Sequence, residues 1–445
     1  MNKITDLLKN ISKYSFFSSL LVLLSFYPIL KEAITSITII TFCVLVMVVY
    51  WNNLKNRYSK YGIRPLIINT GFYLVLIFSS VYSDDFFFSL GRLQSSILIL
   101  IFPIVLIYFF PRIEQKTIKQ FSYGFLISNL IILIYITYML LKGLSIDRFP
   151  NLMESSFFNQ IQVLWSYPYE FTLSKAHKHL TLFYETHKTY VSLNFLVAIF
   201  LIFNLISNHT RKFFVKIFLV FLFFLFSSFI VYSQSISVVF SLMLSLFLLS
   251  FFVFKNKKYL LVYVVTFFFF FFFLKKQGFF SSYDNKNTES IFKLIDYVKY
   301  GKFSQGTDKR VLIYDCSLKL ITSNIIFGYG VGNVQKELNN CYINNNYIVD
   351  EFESKGKQIN SHNYYLHLML SGGLLCLVLF VYLLLNNLLI AFKSNNLFFF
   401  FFLLSFTICL FTENLLVRIL GVLPFTIFNS LFYSINLLWE QKAKD

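Results

Sequence analysis

Two short stretches of this 445-residue chain set side chains at spacings that suit group transfer on an anionic substrate. In Lys309-Arg310-Val311-Leu312-Ile313-Tyr314 a guanidinium opens a segment with helical apolar spacing. Arginine stays protonated, and its planar fork offers paired donors that match phosphate oxygens. In Asn360-Ser361-His362-Asn363-Tyr364-Tyr365-Leu366 an imidazole stands immediately before a long apolar run. The positive end of a helix there favours the neutral ring and attracts anions. A neutral imidazole can accept the proton of an attacking hydroxyl, help worth roughly 10²–10⁴ in rate. Arg418 and Arg92 lie at the ends of other apolar runs and could join Arg310 on a phosphate, His187 precedes a further run, and Asn363 and Tyr364 are placed to hold the loop or a sugar. Each has a plainer reading. Arg310 could be a solvated loop residue in a surface ion pair, His362 a capping or loop-bonded histidine, and His187 a local packing residue.

Other patterns carry less. The alternating glycines of Gly328-Tyr329-Gly330-Val331-Gly332 have no preceding strand and no following βαβ unit, so they read as a tight turn and not a dinucleotide fingerprint. His177 and His179 form an H-x-H pair, with His187 downstream, but no further ligands stand at metal spacing. No P-loop, zincin motif or nucleophile elbow is present. Cys43, Cys376 and Cys409 sit in apolar runs as small core residues, whereas Cys316 and Cys341 share one polar segment and can pair if it faces an oxidising compartment. The Phe runs at 267–273 and 398–402 read as lipid-compatible composition.

The elements that must position these residues are set by composition. The chain is 57% hydrophobic and 13% charged, with a mean hydropathy of +0.66, which excludes an ordinary soluble protein. Apolar segments long enough to cross about 30 Å of hydrocarbon fall near 14–30, 34–51, 65–82, 94–110, 120–141, 188–207, 213–231, 235–254, 259–274, 364–390, 396–411 and 419–438. The expected fold is an all-α polytopic membrane protein of about twelve spans in a single domain over 1–445. The net charge of +18 gathers in alternate connections: Lys3, Lys9 and Lys13; Lys55, Arg57, Lys60 and Arg64; Arg112, Lys116 and Lys119; Arg211, Lys212 and Lys216; Lys255, Lys257 and Lys258; Lys393; Lys442 and Lys444. The positive-inside rule then puts both termini in the cytoplasm, and the first apolar segment reads as an uncleaved helix. A nucleic-acid partner is not implied. Two outer connections are long enough to fold, 142–187 and 275–363, the second lying between spans nine and ten and containing amphipathic helices near 289–300 and 308–322.

Arg310, the aromatic Tyr314 four residues on, the Gly328-Tyr329-Gly330 turn, and Ser361-His362-Asn363 through Leu366 before Gly372-Gly373 together resemble the pattern of the O-antigen ligase and polymerase superfamily. Glu185-Thr186-His187-Lys188-Thr189-Tyr190 before the sixth span, and Thr412-Glu413-Asn414 through Arg418, Gly421 and Val422, extend the resemblance. It implies a GT-C-type fold in a bacterial inner membrane, with the large loop and active site in the periplasm. It also implies an inverting, metal-independent enzyme without a cofactor, using Arg310 and His362 as its catalytic pair. The implied donor is an undecaprenyl-diphosphate-linked glycan. The implied acceptor is lipid A core for a ligase, a second lipid-linked glycan for a polymerase, or a protein hydroxyl. One departure stands out: Ser233-Gln234-Ser235 occupies the place where many relatives carry an arginine implicated in holding the diphosphate, which leaves three options with Gln234 among the substrate-binding residues: a weaker clamp, one rebuilt from Arg418 or Arg92, or an altered specificity. The rival from another class is a lipid-linked glycan flippase, which would call for ionisable residues near the midplane and repeat symmetry.

Overall fold

The structure, a computed structural model, describes residues 14–30, 32–167, 169–179, 187–208, 212–253, 309–345, 347 and 359–442. Among these residues every regular element is a helix. In chain order they are α1 (Tyr14–Leu24), α2 (Glu32–Val49), α3 (Trp51–Tyr61), α4 (Arg64–Ser79), α5 (Phe86–Gln94), α6 (Leu98–Ile104), α7 (Gln115–Asp147), α8 (Phe157–Trp165), α9 (Tyr169–His179), α10 (Lys188–Asn208), α11 (Phe213–Ser233), α12 (Ile236–Val253), α13 (Lys309–Ser323), α14 (Val334–Asn344), α15 (Tyr364–Lys393), α16 (Leu397–Cys409) and α17 (Ile419–Lys442).

The expectation of about twelve spans is only partly met. Among the described residues six helices are long and apolar enough to cross a membrane, or eight if each of two bent pairs forms one span. Eleven of the twelve apolar segments contain helix, and the ninth, 259–274, lies outside the described residues, as do the expected helix at 289–300 and most of the 275–363 loop. The difference is one of length and continuity. α16 has 13 residues, so it rises only about 20 Å. α2 and α3 meet at 83° and α5 and α6 at 56°. α6 carries Pro103 and passes into a π-type turn over Val105–Phe109, because proline removes one ladder donor and crowds the preceding turn. The polar α3 covers that turn: Arg57 Nη1 donates to Ile107 O and Asn53 Nδ2 to Phe109 O, both at 2.9 Å.

Burial separates central from peripheral helices. The apolar windows of α10 and α17 are each 83% buried, against 39% for α11, so α10 and α17 form the axis and α11 presents its face to lipid. α15 packs mainly along α4. Within this packed body Asn69, Asn387 and Asn429 from α4, α15 and α17 bond to one another at 2.8–3.1 Å. Their amides are thus satisfied where water is excluded.

α15 breaks at Gly373, whose φ of 68° and ψ of −164° lie outside any helix. A break leaves backbone groups without helical partners, which hydrocarbon does not tolerate. The glycine segment supplies them. Tyr329 N and Gly330 N donate to Leu370 O at 2.7 Å and Ser371 O at 3.0 Å, and Leu374 N donates to Ile325 O at 2.9 Å. A turn does follow, closed by Asn333 N on Gly330 O at 3.1 Å. The earlier glycines have a further role, since a Cβ on Gly328 would meet the carbonyls of Leu370 and Met369. The same segment is tied to the far end of α4 by Tyr82 Oη, which donates to Phe327 O, and by Gly332 N, which donates to Ser83 Oγ at 3.3 Å.

Candidate functional site

Three connections converge at one end of the bundle: the strand-like approach to α15, the turn between α16 and α17, and the start of α13. Asn363 begins α15 by capping it, its Oδ1 accepting from Tyr365 N at 2.9 Å and Leu366 N at 3.1 Å, which satisfies donors that a helix start leaves open. Tyr364 is buried and its N donates to Leu410 O at 2.9 Å, tying the cap to the end of α16. Asn414 Nδ2 donates to Ser361 Oγ at 3.0 Å. Next to this clamp His362 holds a left-handed φ of 45°, with its own N–H bonded to Asn360 Oδ1 at 2.9 Å. A non-glycine residue there stores strain, and such strain clusters at functional sites.

His362 Nδ1 lies 3.7 Å from Glu413 Oε2, and Arg310 Nη2 lies 3.8 Å from Glu413 Oε1. Glu413 therefore joins the two residues singled out from sequence. Burial alone would raise its carboxyl, but His362, Arg310 and His187 outweigh that effect and hold it below the ordinary carboxylate range. Arg310 thus pairs with Glu413 and His362 stands beside the same carboxylate, with His362 Nδ1 shielded from solvent and without a hydrogen bond among the described residues. His187 stands at the start of α10, its ring against Tyr190 at 5.4 Å, within electrostatic reach of Glu413.

Ser361 and Asn414, the chain neighbours of His362 and Glu413, line a cavity of about 400 Å³ together with Arg92, Arg418, Gly332, Gln335, Asn360, Tyr364 and His367. Arg92 comes from α5, and the α5–α6 turn is bonded to the Arg418 segment through Ser95 Oγ, which donates to Val417 O at 2.9 Å. The two arginines, far apart in sequence, share one wall system. Arg310 and His362 do not line this cavity but adjoin it across the Ser361–Asn414 pair. Gln234 sits in left-handed conformation, φ 53°, closing α11. Its neighbours Ser233 and Ser235 bond to Ser192 at 2.7 Å and Thr189 at 3.5 Å on α10, so Gln234 lies at the same end as His187. His177 and His179 end α9, and their side chains lie outside the described residues.

Cys316 and Cys341 are joined as a disulfide with Cα atoms 5.8 Å apart. It links α13, which carries Arg310, to α14, which contributes Val334, Gln335 and Leu338 to the cavity wall. A larger cavity of about 1290 Å³ lies at the other end of the bundle, among Arg112, Ser207, Asn396 and Asn436. None of the chemically suited residues reaches it, so size does not select the site.

Residues 219–381 match the O-antigen ligase family. That stretch belongs to the O-antigen ligase superfamily. It begins in α11 and ends within α15, taking in Gln234, Arg310, the glycine segment and His362, and leaving Arg92, His187, Glu413 and Arg418 outside. A search of curated proteins finds no match. The chain is accordingly a multi-pass helical membrane protein with a domain that implies a membrane glycosyltransferase-like enzyme of the O-antigen ligase or polymerase type.

Two participants in this geometry escaped the reading by residue type. Glu413 stood within a quoted motif without a role, since nothing local shows which cation a carboxylate meets. His367 gave a usable signal: it is an ionisable side chain inside an apolar span, where such groups usually face a cavity or a partner.

Proposed function

We propose that this protein transfers a glycan from an undecaprenyl-diphosphate carrier to an acceptor hydroxyl, as an O-antigen ligase acting on lipid A core at the periplasmic face of the inner membrane. The observation that carries the proposal is the meeting of Arg310, His362 and Glu413 beside a cavity holding Arg92 and Arg418. The donor's diphosphate would lie among Arg92, Arg418 and Arg310, with Gln234 and His187 bordering the approach. The acceptor hydroxyl would lie on His362, with Asn363 and Tyr364 fixing the loop.

The proposed step is a direct displacement. The acceptor oxygen bonds to the anomeric carbon while its proton passes to His362 Nε2, the ring nitrogen turned away from Glu413. The bond from that carbon to the phosphate oxygen breaks, its electron pair stays on the diphosphate, and the anomeric centre inverts. Negative charge grows on the diphosphate as the bond breaks, so preorganised guanidinium groups lower the barrier, on the order of 3 kcal/mol for one well-placed donor. Glu413 would orient the imidazole and stabilise it once protonated. In this scheme the arginines supply the positive charge, and no step is assigned to a metal.

Orientation follows the charge pattern. Arg64, Arg112, Lys116, Lys119 and Lys393 lie at or near the span ends opposite the site, and basic clusters of this kind stay cytoplasmic. The segments around 142–187 and 275–363 are then the outer loops of one transmembrane domain. The gathering of the candidate site's charged groups, Arg92, Arg310, Glu413 and Arg418, at span ends and not near the midplane also favours an enzyme over a flippase.

The test is glycan transfer by His362→Ala and Arg310→Ala at matched membrane expression. Each should fall by roughly 10²-fold or more. Undiminished transfer by both would overturn the proposal. Deletion should leave full polymer on the lipid carrier; single-repeat products would assign a polymerase instead, and loss of a protein-linked glycan would assign a protein acceptor.

A further inference from the structure

His367 lies on α15 one turn beyond the Asn363 cap, on the cavity side of the Ser361–Asn414 pair, whereas His362 lies on the Glu413 side. Its ring is braced against buried Tyr364, with centroids 6.0 Å apart and planes 30° from parallel. Ser371 Oγ approaches Nε2 at 3.5 Å, but that hydroxyl gives its proton to His367 O at 2.7 Å. At 3.5 Å that contact is too long to hold the ring proton on Nε2, and among the described residues nothing bonds to Nδ1, so the neutral ring can carry its proton there. The ring is half-buried, shares the cavity lining with Arg92 and Arg418, and is within electrostatic reach of Arg92. An imidazole inside an apolar span is costly to keep there unless it meets a cavity or a partner. Here the cavity is small, its volume of about 400 Å³ lying toward the lower end of the roughly 300–1,000 Å³ that ligand pockets span. Its cationic groups are both guanidinium ions.

We propose that His367 is a substrate-binding residue of the donor subsite, donating its Nδ1–H to a phosphate oxygen held between Arg92 and Arg418. This rests on the reading of the protein as a polyprenyl-diphosphate-dependent transferase and adds a contact from the span itself. The two histidines then divide the work: His362 handles the acceptor proton and His367 fixes the leaving group. His367 makes no bond and breaks none.

The test uses the full chain in detergent and measures binding of undecaprenyl diphosphate, with undecaprenol and inorganic diphosphate as separate probes. Formation of the Cys316–Cys341 disulfide serves as the check on folding. His367→Phe keeps a ring against Tyr364 but cannot donate, and should weaken undecaprenyl diphosphate binding roughly tenfold or more, the value of a hydrogen bond to a charged group. Undecaprenol binding should not change, and inorganic diphosphate should lose affinity in proportion. His367→Gln, which restores a donor, should remain within about threefold of wild type. Wild-type affinity for undecaprenyl diphosphate in His367→Phe, or an equal loss for undecaprenol, would overturn the assignment while leaving the transferase reading intact. Absence of undecaprenyl diphosphate binding by the wild-type protein would overturn both.

Discussion

Replacing Gly373 with alanine should separate the break in α15 from every other feature of the site. Gly373 adopts φ 68° and ψ −164°, a region that costs a residue with a Cβ about 1–3 kcal/mol. The new methyl group would also land on the Ile326 carbonyl and the Phe327 nitrogen, which are backbone atoms and cannot rotate away. Relief requires the 325–330 segment to lift, breaking the bonds from Tyr329 N, Gly330 N and Leu374 N. Each is worth about 1 kcal/mol net, and more where the freed group faces hydrocarbon. The sum is about 4–6 kcal/mol, with Gly332 and the cavity wall displaced as well. Gly62 provides the comparison: its φ of 64° and ψ of −162° match those of Gly373, but no atom lies within 4 Å of an added Cβ, so Gly62→Ala should cost only the backbone strain, about 1–3 kcal/mol. The assay is thermal unfolding of purified protein in detergent, paired with glycan transfer in membranes. Gly373→Ala should melt far below Gly62→Ala and lose transfer. Equal melting of the two, with transfer retained, would refute the claim that the glycine segment and the helix break stabilise each other.

Two further outcomes follow from the cluster and the disulfide. Because the Glu413 carboxyl is held below the ordinary range of about 4.3, its ion pair with Arg310 contributes fully above that value and is lost as pH falls through the lower folded-state value. The melting difference between wild type and Glu413→Gln should therefore be full at neutral pH and close below about pH 4; a difference that persists in stronger acid would show that Glu413 acts by packing. Joining Cys316 to Cys341 closes a chain segment of sequence separation 25, worth about 3–4 kcal/mol in the loop-entropy treatment. Cys341→Ser, or reduction, should lower the melting temperature and reduce transfer by loosening α13 and Arg310 against α14, and unchanged melting would exclude that role.

The sequence by itself determined that the chain is a helical membrane protein, because mean hydropathy and the spacing of basic clusters answer only to the bilayer. It also marked the start of α15 at 364, since the apolar run begins there, although it offered His362 and not Asn363 as the cap, and it marked the helix carrying Arg310, since its apolar period is local too. The nearness of Cys316 and Cys341 was visible as an option and became a bond once α13 and α14 packed. Segment lengths were less legible: the bend after Val49 and the early end of α16 depend on what each helix packs against, and the π-type turn that follows α6 interrupts a stretch drawn as one continuous span at 94–110. Only the tertiary structure decided the rest. The pairing of Glu413 with His362 and Arg310, the shared cavity of Arg92 and Arg418, and the bonding of the glycine segment to the broken α15 all join residues from separate elements. Composition and period constrain which face of a helix is apolar. They do not fix its rotation or depth against a neighbour, and at this site those two quantities decide which carboxylate meets which cation.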